Sequence, residues 1–188
     1  MRIISGSFRG KKIIAPSDIK TRPLKDLTKE SIFNIINHSK KFKINLNDSC
    51  VLDIFSGVGS FGIECLSRGV KKVVFIENYK EVLLILKKNL INLKSVENYE
   101  IIEKDALKIN TLSMLDKKFN IIFLDPPYKF ENLQSLLSNI QNAKVLKNNG
   151  IIIMHRHKDS KDFLQSEIKV FEEKCYGISK IIFATFLK

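Results

Sequence analysis

From Cys50 onward, short apolar runs alternate with stretches of helical periodicity, and this alternation narrows the possible folds more than any other feature. The runs at 50–55, 72–76, 99–103, 119–124 and 150–155 are too short for helices and rich in Ile, Val and Phe, as buried strands are. Helices are expected between them, near 60–68, 79–93, 111–116 and 131–142. Alternation at this spacing predicts an α/β fold, a mostly parallel sheet with helices on both faces. The tail breaks the pattern: 166–174 and 179–187 flank Tyr176-Gly177 and read as an antiparallel hairpin closing the sheet.

The first 43 residues have a different character. Arg2-Ile3-Ile4 and Lys12-Ile13-Ile14 flank a Gly-containing turn and predict a small β-hairpin. A connector through Pro16 and Pro23 leads to a helix that places Ile32, Ile35 and Ile36 on one face, with Thr28 as its expected cap. The chain is therefore divided into an N-terminal extension, 1–43, and a main domain, 44–188. The net charge is +12, from 32 basic and 20 acidic residues. Residues 1–43 hold 11 of the bases against 3 acids, a balance of +8. Lys-rich codon bias alone does not concentrate charge in this way, so the extension is expected to face a polyanion, with Arg9, Lys11, Lys12 and Arg22 along its path. His155-Arg156-His157-Lys158 is a second basic cluster, read as extending that surface or as a solvated loop.

Other function classes fall away. Three cysteines, Cys50, Cys65 and Cys175, have neither disulfide nor zinc spacing and read as small buried residues in a reducing compartment. No metal site is indicated. With neither a membrane-span-length run nor a signal-peptide pattern, a cytoplasmic protein is expected, monomeric by default.

Chemistry collects at the strand ends. After the first strand, Gly57, Gly59 and Gly62 fit G-x-G-x-x-G, and Glu77 ends the next strand twenty residues beyond Gly57. That pattern admits a dinucleotide site. Asp53 argues against it, because a carboxylate four residues before the first glycine opposes a pyrophosphate and suits a cation. S-adenosylmethionine is cationic and carries no phosphate. Glu77 is then placed for its ribose hydroxyls and Asp105 for its adenine amine, with Ala106 allowing close approach. Asp125-Pro126-Pro127-Tyr128 follows the fourth strand. A carboxylate and a rigid carbonyl there accept both hydrogens of an exocyclic amine, while the Tyr128 ring stacks on a planar base.

The Asp53-x-Phe55-x-Gly57-x-Gly59 turn together with Asp125-Pro126-Pro127-Tyr128 resembles the class I S-adenosylmethionine-dependent amino-methyltransferases. Within them, Met1 to Gly6, Arg9-Gly10-Lys11, Thr21-Arg22-Pro23 and Lys29 to Asn34 resemble the RsmD-type bacterial enzymes, over nearly the whole chain. The resemblance implies a Rossmann-like class I methyltransferase sheet. It also implies methylation of a guanine N2 in 16S ribosomal RNA, free or in the assembling small subunit. Asp125, Pro126 and Tyr128 would then be catalytic, Asp53, Phe55, Gly57, Gly59, Glu77, Asp105 and Ala106 would hold the cofactor, and Pro127 would join the basic residues on the RNA. Leu24-Lys25 and Leu27 depart from the family's hydroxylated and Arg positions, which touches RNA contact and not methyl transfer. An adenine-N6 methyltransferase and a basic assembly factor without turnover stand as alternatives.

Overall fold

In a computed structural model of the chain, residues 1–16, 24–94, 96–127, 129–162, 164 and 166–187 are described. The apolar runs form β1 (Cys50–Ile54), β2 (Lys72–Ile76), β3 (Tyr99–Ile102), β4 (Phe119–Leu124) and β5 (Leu146–His157), and the tail forms β6 (Ile168–Tyr176) and β7 (Ser179–Phe186). All seven make one sheet in the order β3-β2-β1-β4-β5-β7-β6. The first five strands run parallel, and β7 returns antiparallel between β5 and β6. Five α-helices accompany them: α1 (Asp26–His38), α2 (Ser60–Ser67), α3 (Lys80–Ile91), α4 (Ile109–Ser113) and α5 (Leu133–Asn142).

Alternate strand residues face opposite sides, and each side has its own core. Val51, Val73, Phe75, Ile121, Phe123, Ile151 and Ile153 pack against α1, α2 and α3. Leu52, Ile54, Val74, Ile122, Ile152 and Met154 pack against α4 and α5. A column of rings ties α1 to the sheet. Phe33 stacks on Phe61 at 5.3 Å, and Phe61 stacks on Phe123 at 4.0 Å. Such pairs contribute about 0.5–1.5 kcal/mol each beyond the area they bury. The strand order reverses between β1 and β4, so a crevice opens beyond their carboxyl ends.

The N-terminal segment is built into this body. Ile3, Ile13, Leu24, Ile32, Phe33 and Ile36 belong to the same core as the central strands. The expected hairpin is reduced to a single antiparallel bridge, Arg2 to Lys12. The physical reason is competition for its amides. Ile4 N and Ser5 N donate to Glu64 Oε2 and Oε1 at 2.8 and 2.9 Å, and Ser7 N donates to the Ser67 carbonyl at 2.7 Å. Helix α2 takes the hydrogen bonds that a second strand would otherwise receive. Gly6 lets the arm come this close, since a Cβ there would lie 1.8 Å from the Ser67 oxygen.

The Glu64 carboxylate is fully buried and also takes Arg68 Nε at 2.9 Å and Lys29 Nζ at 3.5 Å. Burial pulls the Lys29 ammonium below its ordinary pKa, and Glu64 works against that. Thr28 does not cap α1. The helix starts after Lys25, and Thr28 is buried within it. Cys65 is buried, Cys50 is partly covered and Cys175 is exposed, so the expectation of three buried thiols fails at the edge strand β6. Burial raises the Cys65 thiol well above its ordinary value, which leaves it inert as a nucleophile. Among the described residues no helix is long and apolar enough to cross a membrane.

Candidate active site

On the α1–α3 side, the inward residues of each strand end in one polar group at the carboxyl edge. Val51 leads to Asp53, Phe75 to Glu77, Phe123 to Asp125 and Ile153 to His155. The period of two that buries the core therefore also aligns the site. These groups and Asp105, which follows β3, line a cleft of about 440 Å³. That volume lies within the range of cofactor pockets. Among the described residues lining it are four acids and no Lys or Arg, although the chain as a whole is +12.

The glycine turn shapes the cleft's inner wall. Phe55 adopts φ +59°, a region bulky residues rarely occupy, and its ring sits edge-on to Phe130 at 5.1 Å. Gly59, at φ +83°, delivers the chain into α2. Gly62 brings α2 hard against the sheet, and its amide donates to Asp53 Oδ2 at 2.9 Å. Asp53 is 1% exposed. Burial drives its carboxyl well above the ordinary carboxylate range, the Gly62 amide opposes this, and the neighbouring Asp125 and Glu77 raise it further. Glu77 receives Gly57 N on Oε2 at 2.8 Å, and Asn78 N and Tyr79 N on Oε1 at 2.9 Å each. Its orientation is thus fixed by backbone, and the remaining lone pairs are available to a ligand. Asp105 Oδ1 accepts from Leu107 N at 2.9 Å.

The cleft brings together Asp53, Phe55, Gly57, Glu77, Asp105, Asp125, Pro126 and Pro127. Gly59 shapes the turn from behind, and Ala106 is buried in the α4–α5 core. Arg9, Lys11 and Lys12 lie exposed on the N-terminal arm, outside the cleft. Lys11 is partly engaged, with Nζ 3.3 Å from the Leu93 carbonyl and 4.8 Å from the Phe8 ring centre. Tyr128 and Arg22 lie outside the described residues.

The cluster His155-Arg156-His157-Lys158 is the main correction. It is no solvated loop: His155 and Arg156 are buried at the end of β5. Arg156 donates to both Asp162 oxygens and, through Nη2, to the Phe130 carbonyl at 2.8 Å. Burial raises the Asp162 carboxyl, and the bonds from Arg156 and Ser160 carry it below its ordinary value. His155 Nδ1 lies 2.8 Å from Asp125 Oδ1, and Nε2 lies 2.9 Å from Ser179 Oγ. Neither partner is near in sequence. The only advance signal was an apolar run, Ile151 to Met154, continuing directly into the two bases.

The residues present fit S-adenosylmethionine. A cation-accepting, phosphate-opposing floor at Asp53, a backbone-held acceptor at Glu77 and a cleft without Lys or Arg among its described residues match its ammonium, ribose and sulfonium, and oppose a dinucleotide. Fold and site together define a class I S-adenosylmethionine-dependent methyltransferase. The chain matches the family described as conserved hypothetical protein 95 over residues 1–185, and it belongs to that family. It is 35% identical to ribosomal RNA small subunit methyltransferase D of Haemophilus influenzae over 179 residues, covering 95% of this chain and 90% of the relative. Among solved structures it resembles a candidate methylase from Haemophilus influenzae (TM-score 0.77, 32% identity, 100% and 98% coverage). A candidate methyltransferase, yhhF, from Escherichia coli superposes with TM-score 0.83 at 25% identity, with the same coverage.

Proposed function

We propose that this enzyme transfers a methyl group from S-adenosylmethionine to the exocyclic N2 amine of a guanine in small-subunit ribosomal RNA. The observation that carries the reading is an acid-lined cleft, without Lys or Arg among its described residues, that ends at Asp125-Pro126-Pro127. The name of the Haemophilus relative supports the RNA class.

The N2 lone pair of guanine is delocalised into the ring and is a weak nucleophile. Asp125 and the Pro126 carbonyl accept its two hydrogens, drawing the nitrogen toward tetrahedral geometry and fixing its direction. Held by Asp53, Glu77 and Asp105, S-adenosylmethionine would supply an electrophilic sulfonium methyl, and the proton that the amine gives up would pass to solvent. The protein's contribution is alignment and electrostatics. Pro126 is buried and rigid, while Pro127 is exposed at the rim against a base turned out of its stack. Exposed Arg9 and Lys12 meet phosphates, which fixes register without reading sequence. The enzyme acts as a monomer in the cytoplasm.

The test is transfer of labelled methyl to small-subunit particles and naked RNA from a host lacking the activity, followed by nucleoside analysis. N2-methylguanosine that disappears with Asp125→Ala, while cofactor still binds in calorimetry, is the expected result. Label on adenine N6 would overturn the acceptor. Binding of cofactor without transfer to either RNA preparation would overturn the RNA substrate.

A further inference from the structure

We propose that His155 is a positioning residue for the acceptor-binding carboxylate, locking Asp125 through a hydrogen-bonded chain anchored on Ser179. The inference rests on the reading above, in which Asp125 receives the amine.

The sheet register creates the contact. Leu124 is paired with Met154 on the neighbouring parallel strand, so the next residues, Asp125 and His155, stand side by side. His155 pairs with Ile181 across the antiparallel ladder, and Ser179 lies two residues before Ile181, at the start of β7 and on the same face. Both His155 and Ser179 are buried, at 6% and 5% exposure. The chain Asp125 Oδ1–His155 Nδ1–Ser179 Oγ thus crosses three neighbouring strands, with links of 2.8 and 2.9 Å.

Hydrogen-bond direction follows from valence. An ionised Asp125 has no hydrogen to give, so Nδ1–H donates to it. In a neutral ring Nε2 is then an acceptor, and the Ser179 hydroxyl must donate. The tautomer is set by Asp125, which can only accept, and Ser179, whose hydroxyl turns to match Nε2, anchors the ring from behind. Asp125 Oδ1 is consumed by the ring, and among the described residues Oδ2 has no protein partner. Without His155 the carboxylate could turn about its own bond and exchange oxygens. With it, one oxygen is presented in one direction. An amine that must meet a methyl carbon in line is sensitive to such an error, since misplacement by about 1 Å costs roughly a hundredfold in rate.

A His that only filled space would be replaceable by an apolar residue of similar size. His155→Leu keeps the volume and removes the donor. His155→Asn keeps an N–H close to the Nδ1 position, and Ser179→Ala leaves the ring but removes its anchor. Turnover on small-subunit particles, S-adenosylmethionine affinity by calorimetry and melting temperature are compared for all four proteins. The expected pattern is a fall in kcat of about 10- to 100-fold for His155→Leu with cofactor Kd changed less than about twofold. His155→Asn recovers most of that loss, and Ser179→Ala falls between. His155→Leu at wild-type kcat, or folded Asn and Leu variants equally impaired, would overturn the role. If His155→Leu fails to fold, Ser179→Ala decides, and an unchanged kcat there counts against the chain.

A second readout does not depend on the RNA acceptor. Ring ¹⁵N spectra of a protein with three histidines can be assigned by substitution. The Nδ1–H tautomer at His155, lost in Asp125→Ala, is expected. An Nε2–H tautomer in the wild-type protein would sink the inference. Wild-type methylation of adenine in place of guanine would remove the guanine reading alone.

Discussion

At the scale of single residues, Asp53 carries the sharpest conflict between stability and function. Its carboxyl is fully buried and rises well above the ordinary value because of that burial, with Asp125 and Glu77 adding to the effect. The folded, ligand-free protein therefore holds this proton more tightly than the unfolded chain. The associated stability is complete below the ordinary carboxylate pKa and is lost as pH rises through the elevated folded value. A cation in the cleft favours the ionised form, so S-adenosylmethionine affinity should rise with pH across the same window. Asp53→Asn keeps an acceptor for the Gly62 amide and has nothing to ionise. At neutral pH its ligand-free melting temperature should increase, at about 2–4 °C per kcal/mol for a domain of this size. Its cofactor affinity should fall about tenfold or more, about 1.4 kcal/mol. A ligand-free Asn variant that melts lower than wild type at neutral pH would show that the charge is not the source of the strain.

At the scale of elements, helix α2 is the joint between cofactor site, sheet and N-terminal arm. A Cβ on Gly62 would lie 2.3 Å from Phe75 Cε1 and 2.9 Å from Asp53 Oδ2. Alanine is the better helix former by about 0.5–1 kcal/mol, but overpacking of this kind costs about 1–3 kcal/mol. Gly62→Ala should therefore lower the denaturant midpoint and weaken cofactor binding together. A midpoint at or above wild type would mean that Phe75 yields freely. The elements best foreseen from sequence are those whose signal is local. The strands ending at Ile76 and Leu124 and the hairpin around Tyr176-Gly177 were legible from apolar runs and breakers. Strand β5 runs from Leu146 to His157, beyond the expected 150–155, because polar Lys147-Asn148-Asn149 and the final bases carry no strand pattern of their own. The four acids were legible because each stands at or shortly after the carboxyl end of an apolar run. His155 was not, since what makes it internal is Asp125, 30 residues back, and Ser179, 24 residues on. The reduction of the N-terminal hairpin to one bridge has the same cause, as the competing acceptors Glu64 and Ser67 lie about sixty residues away.

At the scale of the whole molecule, the net positive charge leans to residues 1–43, which carry +8 of the +12, while the cleft at the carboxyl edge of the sheet is lined by four acids. Under the proposed function, this separates affinity for a polyanion from chemistry on one base. The double reversal Arg9→Glu with Lys12→Glu should weaken binding to small-subunit RNA. It should also reduce the salt dependence of the binding constant by about two phosphate contacts. Cofactor affinity should not move. An unchanged salt slope would place the phosphate path on another face. The docking of the arm on α2 also has a consequence for the order of synthesis. Ile4 is translated 60 residues before Glu64, the side chain that receives its amide. During that interval Ile3 and Ile13 have no core to enter, and Lys29 has no carboxylate to meet. The arm is thus made before the helix that shapes it, and a nascent chain ending ahead of α2 carries the arm's charge without its shape.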